Sequence, residues 1–302
     1  MKGHLVWWAV PDDVLVAFDK LKSLGLASPP PLQAWQKATT VAALAMREEF
    51  EGYRITLRKV ANTKKQFLAE VIRDIPDKEK RVITIPLIAA EFLQSGATYE
   101  ILSTAPNDIQ CEAIIEKIDL CYQDALNYAD AQDLRRHIRR MLLDALLGAP
   151  VRKTGGLYFI PANIRSAPAV PEVLSDIRQA LKSSDERIEF SYVRILDDEE
   201  AALNDIKKSI FDFLIQELND LKASSKNLKS PNVRGENKKA ALQAAFEKYK
   251  TLASRVEVYK ETFESNFEVI ATALEQTYQD LLDALDALPV SVPQTQDTLF
   301  TL

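Results

Sequence analysis

The most regular pattern of apolar and polar positions lies in the last third of the chain. From residue 236 to residue 288 there is no glycine or proline, and apolar residues recur at alternating steps of four and three. This spacing is typical of a long helix that packs in the manner of a coiled coil. The seam of this helix includes Phe263, Phe267, Ile270, Leu274, Leu281 and Leu288. The pattern therefore predicts one continuous helix with an apolar edge.

A second amphipathic stretch, residues 197–222, precedes this helix and begins with acidic residues, which suit a helix N-terminus. Pro231 and Gly235 then favour a turn between the two helices. We expect the helices to fold back on each other as an antiparallel hairpin. Because the second helix is the longer one, part of its apolar edge should remain for another surface, in the same chain or in a second copy.

The first hundred residues contain mainly short, strand-compatible segments. These segments are residues 4–10, 53–58, 67–72, 81–85 and 98–102, and polar turns, proline or glycine separate them. A helical pattern follows Pro11 and closes at Gly25, and a second one covers residues 32–50. The predicted outcome is a mixed unit with short antiparallel strands over residues 1–105.

The middle of the chain combines helices with a hairpin. Residues 107–147 have a helical pattern that breaks near Ala129, and residues 150–161 predict two short strands around Gly155 and Gly156. A helix over residues 171–181 and a strand over residues 187–196 complete the segment. A basic helix followed by a two-stranded wing has the element order of a winged helix.

The predicted fold class is α+β, with four segments. They are a mixed unit over residues 1–105, helices plus a β-hairpin over residues 106–196, a helical hairpin of coiled-coil type over residues 197–288, and an irregular tail over residues 289–302. With 302 residues, of which 47% are apolar, the chain can bury a substantial core.

Several classes of function are excluded or disfavoured by composition. No pair of the 8 glycines has the spacing of a phosphate-binding loop. The 2 histidines and 2 cysteines do not have the spacing of a usual zinc site. We therefore expect no cofactor and no metal site.

The two cysteines, Cys111 and Cys121, lie on one predicted helix. At that separation their Cα atoms would be about 15 Å apart, too far for a disulfide. The free thiols indicate an intracellular protein. No apolar run approaches the ~18 residues of a membrane span. We expect a cytoplasmic protein without membrane contact.

Two basic clusters stand out because the chain as a whole carries a net charge of −6. The first cluster contains Arg135, Arg136, Arg139, Arg140, Arg152 and Lys153. Its helical part places four guanidinium groups opposite the apolar stripe, so it can contact a phosphate backbone in DNA or RNA. An arginine face neutralised by nearby carboxylates, such as Asp130 and Asp133, is the competing and favoured interpretation.

The second basic cluster would occupy the tip of the helical hairpin. It contains Lys222, Lys226, Lys229, Arg234, Lys238 and Lys239. It can contact phosphates or an acidic protein, and a solubilising turn is the favoured alternative. Trp7, Trp8 and Trp35 are candidates for stacking on bases, although core packing is the favoured role for all three.

Catalytic patterns are weak throughout the sequence, and no catalytic residue is assigned. His137 lies among four arginines, and no nucleophile in a recognisable motif accompanies it. The acidic and basic residues 77–80 are too close in sequence to place carboxylates on neighbouring strands. An enzyme is therefore not favoured.

The segment Arg152-Lys153-Thr154-Gly155-Gly156-Leu157-Tyr158-Phe159-Ile160-Pro161 resembles a segment of uncharacterised prokaryotic proteins, some of them encoded on phages and plasmids. In those proteins a basic residue precedes Ser/Thr-Gly-Gly and a strand of the form apolar-Tyr-Phe-apolar-Pro. The resemblance implies an uncharacterised family and a setting on a mobile element. It implies no established activity and no catalytic residues.

Three functions follow from these observations. The leading hypothesis is a non-enzymatic assembly protein, a homo-oligomer that self-associates through the uncovered part of its C-terminal helix. The alternative is a protein that binds DNA or RNA through the first basic cluster. A metal-dependent nuclease with dispersed acidic ligands is the third hypothesis.

Overall fold

The computed structural model describes residues 1–49, 54–62, 67–76, 78–79, 81–93, 96–101, 111–152, 156–164, 169–197, 200–228, 235–264 and 267–286. The strands are β1 (Gly3–Ala9), β2 (Leu15–Ala17), β3 (Arg54–Asn62), β4 (Phe67–Pro76), β5 (Val82–Leu93), β6 (Gly96–Ile101), β7 (Tyr128–Asp130), β8 (Ala149–Pro150), β9 (Leu157–Pro161) and β10 (Glu189–Ile195). The helices are α1 (Phe18–Leu21), α2 (Pro31–Glu49), α3 (Cys111–Asn127), α4 (Ala131–Arg140), α5 (Val170–Ser184), α6 (Glu200–Leu228), α7 (Gly235–Phe263) and α8 (Glu268–Asp286). The protein is a mixed α+β protein with antiparallel sheets.

The chain forms two compact units, and each unit is built from separated stretches of sequence. Unit 1 contains Met1–Ala9, Arg136–Gln179 and Ile188–Leu302. Unit 2 contains Val10–Arg135 and Ala180–Arg187. The first strand is thus grouped with the last third of the chain, a grouping that does not follow the order of the predicted segments.

Unit 1 contains an antiparallel sheet with the strand order β10-β1-β9-β8. Because successive side chains of a strand point to opposite faces, Leu5 and Trp7 share one face and His4 and Val6 share the other. Leu5, Phe159 and Ile195 pack into the core that α6, α7 and α8 form. One face of the sheet is therefore covered, over part of its length, by the helices.

The three C-terminal helices of unit 1 form a bundle in which α7 runs antiparallel to its neighbours. Arg255 of α7 contacts Glu217 of α6, and Phe211 of α6 contacts Phe267 at the start of α8. The prediction of one continuous helix over residues 236–288 is wrong. α7 ends at Phe263, and Glu264 has a left-handed backbone with φ of 46°. The carbonyl of Phe267 accepts the N–H groups of Ile270 and Ala271 in the first turn of α8.

The apolar spacing does not reveal this break. Serine and asparagine disfavour helix interiors because their side chains compete for backbone hydrogen bonds, and the sequence between the two helices contains both, at Ser265 and Asn266. The apolar repeat continues past the break because α7 and α8 bury their stripes in the same core. The predicted tail, residues 289–302, lies outside the described residues.

Unit 2 contains a four-stranded antiparallel meander, β3-β4-β5-β6, on which α2 and α3 pack. Its core joins Val71 and Ile88 of the sheet to Ile114 and Ile118 of α3. A second cluster surrounds Trp35 of α2, which is fully buried against Phe92 and Ala90. The predicted hairpin and the helix that follows the Pro29–Pro31 connector are thus present.

Two local predictions in unit 2 are wrong in detail. Residues 15–17 form β2, which pairs with β7, and the helical pattern after Pro11 is limited to α1 and one further turn. Gly25 ends that turn in a left-handed conformation, as expected. β5 continues through Pro86, where the pairing with β4 shifts register between Val71 and Ile72. A bulge of this kind accommodates a proline that cannot donate a ladder hydrogen bond.

His4 is a fully buried polar residue in the sheet of unit 1. Neither nitrogen of its imidazole has a hydrogen-bond partner among the described residues, and its ring meets the edge of Tyr192. Burial, and secondarily the positive charge of Arg194, lowers the pKa of His4 below its ordinary value. The folded protein therefore favours the neutral imidazole.

We expect His4 to make the stability of the protein depend on pH. Below about pH 6.5 the unfolded chain binds a proton that the folded chain takes up only at lower pH, so stability falls as the pH falls through this window. Urea unfolding of the wild type and of His4→Phe, at about pH 7.5 and pH 5.5, measures the effect. The wild type should lose more free energy of unfolding than the variant, and equal losses would contradict the assignment.

Candidate nucleic-acid interface

Helix α4 carries four of the six residues in the first basic cluster. Its N-terminus is capped by Asp130, whose Oδ1 accepts the N–H of Asp133 at 2.8 Å. Leu134 and Ile138 form its buried stripe, one turn apart. The remaining positions, which include the arginines, face away from that stripe, as the spacing predicts.

The four arginines of α4 have different roles in the structure. Arg135 is half-buried and donates to the carbonyl of Val10 and to the carboxylate of Asp12, so it stabilises unit 2. Arg136 also interacts with another residue of the chain. Arg139 and Arg140 lie exposed in the last turn and have no ion-pair partner within the part of the chain that the structure describes. The cations available to a ligand are thus fewer than the sequence indicates.

The hairpin of β8 and β9 provides a further exposed cation. The N–H of Val151 donates to the carbonyl of Leu157 at 2.8 Å, and Gly156 takes a left-handed backbone conformation with φ of 83°. Arg152 follows Val151 and is exposed, again without an ion-pair partner among the described residues. Lys153 lies outside the described residues.

The second basic cluster is only partly described. Lys226 is exposed in the last turn of α6, and Lys239 is exposed near the start of α7, while Lys222 and Lys238 are half-buried. A shallow depression lined by Leu228 and Ala245, among others, shows that these two helix ends lie side by side. Lys229 and Arg234 lie outside the described residues.

The seam residues lie inside the bundle of their own chain. Phe267, Ile270, Leu274 and Leu281 are buried, and Phe263 packs against the same core. Leu288 lies outside the described residues. The expectation that the longer helix leaves this seam uncovered is wrong for the described residues, because α8 folds back and covers what α6 leaves open.

The three tryptophans have different exposures. Trp35 is fully buried in unit 2, and the indole nitrogen of Trp8 is buried in unit 1. Trp7 keeps 39% of its surface exposed on the face of the unit 1 sheet. Core packing therefore explains why Trp35 and the indole nitrogen of Trp8 are buried. It does not explain the exposed part of Trp7. The period-two alternation of β1 already separates Trp7 from Trp8 in the sequence.

Unit 2 presents an exposed apolar strand that the sequence analysis did not identify as a site. In β5, Val82, Ile83 and Ile85 all keep at least a third of their surface exposed. The described part of β6 pairs with β5 only from Ile88 to Leu93. The first residues of β5 therefore have β4 as their single partner among the described strands.

The described residues provide little for metal or redox chemistry. They contain no cluster of three or more histidine, cysteine, aspartate or glutamate side chains that could hold a metal ion. Cys111 and Cys121 form no disulfide, and burial raises the pKa of the Cys111 thiol, which makes it a poorer nucleophile. No described helix is long and apolar enough to cross a membrane.

The ion pairs of unit 2 show how this chain uses its charged side chains when they are structural. Lys37 of α2 lies 2.8 Å from the Oδ2 of Asp130 and also binds Asp133. Burial lowers the pKa of Lys37, but the bonds to these two carboxylates outweigh it and the net shift is upward. Arg187 is held in the same way by Asp185 and Asp13. These carboxylates are occupied within unit 2.

Comparison with known proteins identifies one family. The model of a family of unknown function, DUF6744, matches residues 2–290. No curated protein and no solved structure matches the chain. A family of unknown function agrees with the uncharacterised family that the sequence resemblance implied.

We expect Ile270 to be a core residue and not an interface residue. Replacing the buried Ile270 with alanine should lower the free energy of unfolding by about 2–5 kcal/mol through cavity formation. The neighbouring Val269 is 73% exposed, and its replacement by alanine should change stability by less than about 0.5 kcal/mol. Urea unfolding and light scattering measure both. A lower molar mass for Ile270→Ala without a loss of stability would instead indicate an interface between copies.

Proposed function

This chain belongs to the DUF6744 family, and we propose that it binds nucleic acid through exposed cations of unit 1. The observation that supports this proposal is that Arg139, Arg140 and Arg152 are exposed and have no ion-pair partner among the described residues. Guanidinium groups bind phosphates with paired, planar hydrogen bonds, so unpaired arginines suit a phosphate backbone.

Other arginines of the chain are in part paired and in part exposed. The chain has 44 acidic residues and 38 lysines and arginines, so carboxylates are in excess. Arg135, Arg187 and Arg255 each have at least one of these carboxylates as a partner. Arg178 and Arg194, like the three arginines of the proposal, are exposed and have no ion-pair partner among the described residues, so all five are available to an external anion. Weak patches of this size bind more tightly when several of them contact the same strand.

A structural role of Arg139 and Arg140 is the main alternative, and it makes a different prediction. Cations in the last turn of a helix stabilise it through the helix dipole by about 0.3–1 kcal/mol. Loss of that effect would lower the stability of the protein slightly and would not depend on any ligand. A binding assay beside an unfolding assay therefore separates the two roles.

We expect Arg139→Glu combined with Arg140→Glu to weaken nucleic-acid binding uniformly across base sequences. Removing two phosphate contacts should lower the slope of log affinity against log salt by about 1.4–1.8. Fluorescence anisotropy with labelled oligonucleotides at several salt concentrations measures this slope. Lys207→Glu with Lys208→Glu changes the net charge equally at a site on α6 and is the control.

Two results would contradict the proposal of nucleic-acid binding. The first is a wild-type protein that binds neither single-stranded nor duplex oligonucleotides at low salt. The second is an equal loss of affinity in the arginine and lysine double variants, since that would reflect net charge alone.

Self-association is a second candidate function, and the exposed start of β5 favours it. Val82 and Ile83 are 65% and 51% exposed, and they lie on opposite faces of the strand. An apolar strand whose edge has no partner among the described residues is a template for pairing with another strand. The partner that fits is a second copy, because identical edges can pair antiparallel with one another. This surface differs from the C-terminal seam that the sequence analysis favoured.

We expect Ile83→Lys to abolish self-association through this strand. The added charge would face its counterpart across the paired edges and repel it, whereas the free chain keeps the lysine in water. Light scattering over a concentration series should show the mass of the wild type rising and that of the variant remaining monomeric. Leu15→Lys, on the exposed strand β2, is the control. A wild type that stays monomeric at high micromolar concentration would contradict the proposal.

A further inference from the structure

The α4–β8 segment, residues 141–148, joins the two places where unit 1 carries the arginines of the proposed interface. Arg139 and Arg140 directly precede it, and Arg152 follows β8. Its first five residues form a single turn of π-helix, and Leu147 has a left-handed backbone with φ of 49°. Conformations of this kind are unfavourable by themselves and persist only where surrounding contacts impose them. The α4–β8 segment therefore depends on contacts with other elements.

Backbone hydrogen bonds within the α4–β8 segment account for only part of its structure. The N–H of Leu146 donates to the carbonyl of Met141 at 3.0 Å, and the N–H of Gly148 donates to the carbonyl of Leu142 at 2.8 Å. A Cβ at Gly148 would lie 2.6 Å from the carbonyl oxygen of Leu142. The end of the segment is thus closely packed, and it would have to change shape to admit even a methyl group.

Two buried side chains of α7 donate hydrogen bonds to carbonyls of this segment. The hydroxyl of Tyr259 donates to the carbonyl of Leu147 at 2.8 Å, so it binds the residue with the left-handed backbone. Arg255 donates to the carbonyl of Leu143 at 2.6 Å and to the carboxylate of Asp144 at 3.2 Å. Burial raises the pKa of Tyr259, so its hydroxyl keeps the proton that it donates. A buried carbonyl that loses such a donor has no water to replace it.

We infer that Tyr259, together with Arg255, is a positioning residue that holds the α4–β8 segment and thereby preorganises Arg139, Arg140 and Arg152 for phosphate binding. This inference rests on the proposed function, because it concerns the same arginines. Groups that are held in a fixed arrangement before binding avoid the entropic cost of being ordered by the ligand. If the segment is released in part of the molecules, the apparent dissociation constant rises as the reciprocal of the fraction that is still held.

A purely structural role of the Tyr259 hydroxyl is the alternative, and it makes a different prediction. Removing a hydrogen bond that only stabilises the bundle would lower the free energy of unfolding. The molecules that remain folded would still bind with the same affinity. Affinities measured under conditions where the variant is fully folded therefore separate positioning from stabilisation alone.

The test uses Tyr259→Phe, which removes the hydroxyl and retains the ring that packs against Phe159 and Phe263. Fluorescence anisotropy with labelled single-stranded and duplex oligonucleotides should show an affinity at least about 3-fold below that of the wild type, which corresponds to a segment held in about a third of the molecules. The slope of log affinity against log salt should not change, because every phosphate contact can still form. Arg139→Glu with Arg140→Glu lowers that slope, so the two kinds of defect are distinguishable.

The matched control is Thr277→Val, which removes a buried hydroxyl from α8 in the same bundle. The Oγ1 of Thr277 donates to the carbonyl of Ala273 at 2.8 Å, within its own helix. This variant should lower the free energy of unfolding and leave the affinity for oligonucleotides unchanged.

Hydrogen exchange gives a readout that does not require a ligand. The amides of Leu146 and Gly148 form hydrogen bonds within the segment. They should exchange about 5- to 150-fold faster in Tyr259→Phe than in the wild type, the factor that corresponds to an unsatisfied buried carbonyl. In Thr277→Val the same amides should exchange at the rate of the wild type.

Gly148→Ala disturbs the segment directly and leaves α7 unchanged. The added methyl group must displace the carbonyl of Leu142. The affinity should therefore fall without a change in the salt slope, as in Tyr259→Phe.

The outcomes separate the positioning role from the proposed function. If the wild type binds no oligonucleotide, both are overturned. If the wild type binds and both Tyr259→Phe and Gly148→Ala keep its affinity, the positioning role is overturned and the arginine proposal stands. An equal loss of affinity in Tyr259→Phe and Thr277→Val would also overturn the positioning role, since it would reflect stability alone. A selective loss at an unchanged salt slope, with faster exchange at Leu146 and Gly148, supports it.

Discussion

Two side chains one turn apart on α7 hold the irregular segment between α4 and β8. Arg255 is almost fully buried, and it donates to the carbonyl of Leu143 at 2.6 Å and to the carboxylates of Asp144 and Glu217 at 3.2 Å and 3.1 Å. The hydroxyl of Tyr259 donates to the carbonyl of Leu147 at 2.8 Å. Buried carbonyls outside regular secondary structure need such donors, because water cannot reach them.

The geometry of that segment explains why it depends on these donors. Residues Met141–Ala145 form a single turn of π-helix, and Leu147 has a left-handed backbone with φ of 49°. Gly148 follows where a side chain would collide with the carbonyl of Leu142, since a Cβ there would lie 2.6 Å from that oxygen. The segment is therefore fixed by contacts with the bundle, and it sets the position of β8 and of the hairpin that carries Arg152.

The same packing determines which surfaces remain for partners. By closing three helices around one core, the bundle buries Ile270, Leu274 and Leu281 and removes the seam from the outside of the protein. Among the surfaces that unit 1 leaves exposed are the uncovered end of its sheet and the cations of α4 and the β8–β9 hairpin. Unit 2 leaves the start of β5 exposed. Sheet surfaces and arginines are therefore accessible to partners, whereas the regular apolar repeat of the described C-terminal helices is buried.

The sequence by itself determined many of the local elements, because periodicity and turn residues act over a few positions. It predicted the break near Ala129, the hairpin around Gly155 and Gly156, the helix of Trp35, and the α+β class. It could not separate one long helix from two helices that share a core, since the apolar spacing is the same in both. Only the tertiary structure decided that Arg135 pairs with Asp12 while Arg139 and Arg140 have no ion-pair partner in the described part of the chain, and that Trp35 is buried while Trp7 is exposed. The ion pairing and the exposure of a side chain depend on residues that are distant in sequence and pack against it in the fold. A short stretch of sequence does not show which residues these are.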